Sequence, residues 1–502
     1  MVTFSVPNWL NQRHSARWPD FLARSPAGRS SLSNLERMAE SRLPRFVRES
    51  EVAMKYLRLL GPLDWQHFPD RPDQRFNPND PPLSLAPFVG AYLVKIDQRL
   101  PHMADLHEYL VYHPSLVWVL GFPLIPSAAF SWGFDVRASL PNHRHLSRLL
   151  RTLPNAALQF LLDDTVHLIQ AALQGQVPDF GDCVALDTKH IIAWVKQNNP
   201  KAYIKDGRYD KTKQPTGDPD CRLGCKRKHN QAKGKEGVET ITTPTTNPVP
   251  AKHLAIGEYY WGYGSGIVTT KVPDWGEFVL AELTQPFDQS DVSYFYRLMA
   301  DVERRLGHRP QFGAFDAAFD AFYVYQYFAE AGGFAAVPFV ERGGRGQRAF
   351  SDDGRPLCAA ELPMVLRYTF QSRATLVPHE RGHYVCPLRY PQPTGETCPI
   401  QHERWAKGGC VSTLATSPGA RLRYQIDRDS EQYKQIYKQR TATERINSQA
   451  VDLGIERPKL RTRVAIANHN TLTYVLINLH ALQRIHQRQV KALQVGSAVE
   501  RA

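Results

Sequence analysis

The chain has 502 residues, with 62 Lys and Arg against 49 Asp and Glu, for a formal net charge of +13. At 42% hydrophobic and 11% aromatic it can bury sizeable cores, which excludes a disordered chain, and its seven cysteines are too sparse for a disulfide scaffold. The length suggests about three domains, and the excess of positive charge favours an anionic partner, nucleic acid first.

The first 46 residues read as a basic, Ser-rich arm. They lack the basic, apolar and small-residue order of a secretory signal, so a reduced, cytoplasmic setting is expected. Seven prolines between Gly61 and Pro87 forbid a regular helix there. From Leu83 to Gln174 apolar residues recur at spacings of three and four, as in Leu146, Leu149, Leu150, Leu153 and Leu158, Leu161, Leu162, with Pro154-Asn155 as a turn. Residues 47–180 are therefore expected to form a helical domain, apart from that Pro-rich connector. The uncharged stretch from Leu116 to Phe134 is broken by Gly121, Pro123, Pro126 and Gly133, so it reads as a buried helix and loop rather than a membrane span.

The period changes at Asp182-Cys-Val-Ala-Leu-Asp187, a short apolar run ending in an acid, which predicts a buried strand. Residues 196–235 carry 12 Lys and Arg and four Asp and read as a basic loop, with Lys226, Arg227 and Lys228 as its phosphate-tracking cluster. Strands are expected at Gly266–Val272 and Glu277–Leu283, a helix at Val292–Leu306, and a second acid-terminated strand at Gln311-Phe-Gly-Ala-Phe-Asp316. A helix (Phe319–Gly332) and a strand (Phe334–Val340) follow. Alternation of this kind predicts an α/β sheet. Residues 342–425, rich in Gly, Pro, Cys and β-formers, read as a β-rich insertion. Helices are predicted at Asp429–Leu453 and near Leu472–Ile485. The aromatic run Tyr259-Tyr260-Trp261-Gly-Tyr263 reads as strand core, and Gly262-x-Gly264-x-Gly266 as a strand or turn feature rather than a dinucleotide loop.

Asp187 and Asp316 thus close two apolar strands, where a sheet holds a carboxylate rigidly at its edge. Tyr433, Tyr437, Arg440 and Glu444, spaced 0, 4, 7 and 11, would share one face of a continuous helix. Two strand acids and a helix acid make a hard oxygen site for two Mg²⁺ or Mn²⁺ ions in phosphodiester chemistry. Asp320, four residues beyond Asp316, is the alternative second acid. Separately, His383-x2-Cys386 and Cys398-x3-His402, with Cys410 in reserve, could close a tetrahedral Zn²⁺ site. Cys221-x3-Cys225-x3-His229 is a weaker pattern.

Three segments in this order resemble the DDE transposases of bacterial insertion sequences. They are Val184-Ala-Leu-Asp187-Thr, Phe312-Gly-Ala-Phe-Asp316-Ala-Ala-Phe-Asp320 and Tyr437-x2-Arg440-x3-Glu444-Arg445. The resemblance runs from about residue 141 to 480. It implies an RNase H-like catalytic core in two parts, 181–341 and 426–502, interrupted by the insertion and preceded by a helical DNA-binding domain at 47–180. It also implies Asp187, Asp316 and Glu444 as catalytic metal ligands, and Tyr437, Arg440 and Arg445 at the DNA. That branch carries a Lys seven residues after its Glu, where this chain has Val451, so Lys459 or Arg461 would have to supply that contact. The partners implied are double-stranded DNA, as element ends and target, and a second copy of the chain in the synaptic complex, with no membrane. The setting implied is nucleoid-associated. A metal-dependent nuclease without strand transfer and a non-catalytic DNA-binding derivative are the alternatives.

Overall fold

A computed structural model describes residues 42–69, 84–199, 209–227, 257–339, 348–373 and 376–499. It is a mixed α/β structure. Short helices come first: α1 (Arg45–Arg48), α2 (Glu51–Leu60), α3 (Ala86–Asp97), α4 (Met103–Tyr112) and α5 (Pro114–Leu120). Ser50 opens α2 by accepting from the Ala53 amide at 3.2 Å, and Gly121 closes α5 in the left-handed conformation at φ 75°. The rest of the Leu116–Phe134 stretch turns through a two-residue ladder, β1 (Ile125–Pro126) against β2 (Phe134–Asp135). Among the described residues no helix is long and apolar enough to cross a membrane. After α6 (Val136–Ser139) come α7 (His143–Thr152) and α8 (Asn155–Leu173), separated at Leu153-Pro154 as the spacing predicts.

The main sheet has six strands: β3 (Cys183–Ile192), β4 (Arg222–Arg227), β5 (Gly257–Val272), β6 (Gly276–Pro286), β7 (Phe312–Ala314) and β8 (Phe334–Ala336). β5 is antiparallel to β3, β4 and β6, whereas β3, β7 and β8 run parallel. β3 extends five residues past Asp187, because β5 continues to pair with it as far as Ile192 with Gly262. β4 lies inside the segment expected to be a loop. The 16-residue β5 outruns β6, and β4 pairs the part of it that β6 leaves, from Gly257 to Gly262. Glycines 264 and 266 keep this strand slim: a β-carbon on either would stand 2.5 or 2.4 Å from the side chain of Tyr294, whose hydroxyl donates to Gly264 O at 2.9 Å.

The connecting helices are α9 (Phe295–Leu306) and α10 (Phe322–Glu330). A separate antiparallel sheet, β9 (Val365–Ser372), β10 (His379–Val385) and β11 (Val411–Ala415), lies within residues 342–425. The chain ends with α11 (Gly419–Gln425), α12 (Glu431–Lys438), α13 (Thr441–Asp452) and the long α14 (Arg463–Val499). Alternation along the strands covers both faces of the main sheet. Val184, Leu186, Val268 and Leu280 pack with α9 and α10, while Ile191, Ile267 and Val279 join Ile446 and Ala450 of α13 and Leu472–Leu479 of α14. That second core is continuous with the buried face of the N-terminal helices, which pack on one another and on α14.

Candidate active site

The parallel register sets the site. Val184 pairs with Gly313 and Ala185 with Ala314, and β7 then stops. Two residues further on, Asp187 and Asp316 stand abreast beyond the end of the shared ladder, on the side-chain parity that faces α13. Each is tied by a local amide: Asp187 Oδ1 accepts from Thr188 N at 2.8 Å, and Asp316 Oδ1 from Ala318 N at 2.8 Å, capping a 3₁₀ turn at Ala317–Phe319. Burial pushes the Asp187 carboxyl up to about 6; the Thr188 amide and Arg440 oppose this, and the charges of Asp316 and Asp291 add to it. Burial also raises Asp316, against its Ala318 amide and with Asp291 reinforcing it.

Two members of this site escaped the sequence reading. Asp291 opens the 3₁₀ turn that leads into α9 and accepts from the Thr188 hydroxyl at 2.6 Å; burial raises its pKa. Asn447, on α13, reaches toward the first acid: its Nδ2 lies 3.5 Å from Asp187 Oδ2, a long contact, and its buried Oδ1 has no partner among the described residues. Neither belongs to a spaced motif. A polar residue at the buried spacing of α13, one turn after Glu444, is the signal that could have found Asn447.

Arg440 stands among the acids. Burial works against its charge, but Glu444, Tyr437, Asp187 and Asp316 together outweigh that and raise its pKa. It holds Glu444 Oε1 at 2.5 Å, and the Glu444 side chain is 53% exposed. The continuous helix expected over 429–453 is two helices. At the junction the amides of Gln439, Arg440, Ala442 and Thr443 bond to carbonyls three residues back. This 3₁₀-type winding advances about 120° per residue in place of about 100°, so Glu444 is rotated away from the face of Tyr433 and Tyr437. Those two rings stack at 6.0 Å and 10° on α12.

The remaining predicted residues are spread more widely. Asp320 is not beside Asp187; its carboxylate is held by Arg423 Nε at 2.6 Å and by the Tyr325 hydroxyl at 2.8 Å. Arg445 pairs with Glu277 at 2.6 Å, at the start of β6. Lys226 and Arg227 stand on β4, opposite Glu258 and Gly257, and Lys228 and His229 lie outside the described residues. Lys459 Nζ is 3.4 Å from His102 Nε2, and Arg461 lies over the Trp194 ring at 4.9 Å. The segment leading to them crosses the end of β3, where Ile192 N donates to Glu456 O at 2.9 Å. Five residues of strand at about 3.3 Å each separate that point from Asp187, so these cations follow the flank of the site and do not reach the acids. Val451 packs against the core of the N-terminal helices and α14. A basic face that the sequence reading passed over runs along α7, where Arg144, Arg148 and Arg151 are exposed at helical spacing.

In and beside the second sheet, the imidazoles of the expected Cys/His set have contacts of their own. His383 stacks on Tyr368 at 4.9 Å and contacts Thr413 Oγ1 at 3.5 Å, and His402 Nδ1 accepts from Arg404 N at 3.1 Å. Cys386 and Cys398 are buried. Among the described residues, no three His, Cys, Asp or Glu side chains already converge on a point where they could hold a metal ion. At the main site the third acid, Glu444, is turned to Arg440 instead.

The chemistry of this arrangement is that of a partly buried acidic cluster with a resident cation. Two carboxylates abreast, raised by burial, and a guanidinium that feels the charge of both and is bonded to a third acid form a site suited to hard cations and phosphate. No protein-family model matches the chain, and no curated protein matches it.

Proposed function

We propose that this chain is a DDE-type transposase of an insertion sequence, built on an RNase H-like core. The observation that carries the reading is the pair Asp187 and Asp316, emerging abreast from neighbouring parallel strands with Arg440 charge-coupled to both and hydrogen-bonded to Glu444. The donor set fits Mg²⁺ or Mn²⁺: all three groups are carboxylates, and two are held at raised pKa by burial that a bound cation would relieve. Asp187, Asp316 and a Glu444 released from Arg440 would hold two such ions, which when bound supply a water of lowered pKa and charge for the leaving oxygen.

The rest falls to the protein's own groups. Arg440 is placed to hold the scissile phosphate, since it already sits where anionic oxygens gather. Asp291 fixes Thr188 and so the backbone that carries Asp187. The stacked Tyr433 and Tyr437 offer a platform for an unstacked base. Lys226, Arg227, Lys459, Arg461 and the α7 arginines track phosphates without reading sequence. The reaction is hydrolysis at the element's end to free a 3′-OH, then attack of that hydroxyl on target DNA, with two copies of the chain holding two ends. The test is supercoiled plasmid with donor fragments taken from the flanks of the coding region. Joined product supports the transposase, nicks alone support a nuclease, and binding without either supports a DNA-binding derivative.

A further inference from the structure

We propose that Cys358, Cys386, Cys398 and Cys410 form a structural zinc site that closes the second sheet, a four-thiolate set in place of the mixed Cys/His set read from spacing. Three observations carry it. First, the register of β10 on β11 ends with Val385 opposite Val411, so the next residues, Cys386 and Cys410, face each other across the sheet end. The chains are close there: a β-carbon on Gly409 would stand 3.3 Å from Cys386 Sγ. Secondly, the sulfurs of both Cys386 and Cys358 act on the Cys410 thiol, though Cys358 lies 28 residues before Cys386. Thirdly, three of the four cysteines open a turn whose closing amide returns to the cysteine carbonyl: Glu361 to Cys358 at 2.9 Å, Arg389 to Cys386 at 3.2 Å and Gln401 to Cys398 at 3.0 Å.

Cys398 is assigned as the fourth ligand because it is buried and lies midway along the segment that joins Cys386 to Cys410. That segment holds one short 3₁₀ turn, Trp405–Lys407, and no strand or helix. Irregular segments longer than about 12–15 residues are uncommon in packed domains. The sheet it belongs to has little core of its own, since Leu366, Tyr368 and Phe370 of β9 are exposed. A metal staple supplies what such a small core lacks.

The four thiols are the donors, and burial and the neighbouring sulfurs push that of Cys410 up to about 12. Zinc would draw them to Zn–S distances of about 2.3 Å, each thiol releasing its proton to solvent as its sulfur bonds the metal. All seven cysteines are free, which leaves the four available as ligands.

The test uses the full chain, expressed with zinc and purified under reductant without chelator. Elemental analysis should give one zinc per chain, and exchange with Co²⁺ should give the visible bands and sulfur charge-transfer of tetrahedral thiolate cobalt. Cys410→Ser and Cys398→Ser should each lower the metal content and shift the cobalt spectrum, while Cys221→Ser, outside the cluster, should leave both unchanged. Where a serine variant does not fold, thiol counting on the native chain stands in: four of the seven cysteines should resist a thiol reagent until a chelator is added. A wild-type chain with substoichiometric zinc and no thiolate cobalt spectrum would overturn the proposal. So would Cys398→Ser with full zinc and an unchanged spectrum, or a disulfide between any two of the four.

Discussion

Replacing Asp187 with Asn should stabilise the metal-free protein while abolishing its chemistry. In the folded chain the Asp187 pKa stands at about 6 against an ordinary 3.8, so the native state holds a proton that the unfolded chain has released. Stability contributed by that proton is full below the unfolded pKa and is lost as pH rises through the folded one, between about 4 and 6. At 1.36 kcal/mol for each pH unit between those two values, the loss amounts to about 3 kcal/mol. The variant escapes this cost, because its amide is neutral at every pH. It keeps the oxygen that accepts from Thr188 N, and its NH₂ can donate to the unpartnered Oδ1 of Asn447. Urea denaturation from pH 4 to 8, in chelator, should show the two proteins alike at pH 4 and Asp187→Asn ahead by up to about 3 kcal/mol at pH 8. The variant should retain a shallower decline, since Asp316 and Asp291 are displaced in the same direction. Mg²⁺ should raise the wild-type midpoint at pH 8 and leave the variant's unmoved. Equal stability at pH 8, or a variant weaker there, would refute the assignment of Asp187 as a desolvated carboxylate.

Three further outcomes follow from the placement of the cations. Arg440→Ala should cut the joining rate by about 100-fold with little change in DNA affinity, read by single-turnover joining beside a binding titration. Neutralising Lys226, Arg227 and Lys228 should weaken specific and random DNA alike and flatten the salt dependence by about 0.9 in slope for each phosphate no longer neutralised; Lys459→Ala and Arg461→Ala should act on affinity in the same way and not on rate. Val451→Lys should destabilise by about 1–3 kcal/mol without raising the joining rate, because Val451 packs on the core, and thermal melts alongside joining assays separate those effects.

Much of this site was legible because strand acids are carried by short apolar runs that stand out from their surroundings. Asp187 and Asp316 were found that way, and their pairing follows once β3 and β7 run parallel. The extent of β3 was hidden, since Thr188-Lys-His190 is polar and is held in the strand only by β5. The break before Glu444 left no mark either: the junction has no Gly or Pro, and Arg440 keeps ordinary helical dihedrals, φ −56° and ψ −27°. Only the shift to hydrogen bonds three residues back rotates the later turn. Asp291 and Cys358 were beyond reach for another reason: each meets its partners through tertiary contacts, about 100 and 28 residues distant in sequence from Thr188 and Cys386. The β4 strand forms inside a basic stretch because a long neighbour needs a partner, which is a property of β5 and not of β4.

The sharpest test of the three acids is the yield of joined product, per folded molecule, from wild type and from Asp187→Asn, Asp316→Asn, Glu444→Gln and Asp320→Ala in Mg²⁺ and in Mn²⁺. Joining is expected from wild type and from Asp320→Ala, the latter with a fold weakened by about 3 kcal/mol through its stranded Arg423. None is expected from the other three, with DNA binding retained in all. Joining by Asp316→Asn together with its loss in a folded Asp320→Ala would contradict the site as drawn, and wild-type joining by Glu444→Gln would remove the third acid from it.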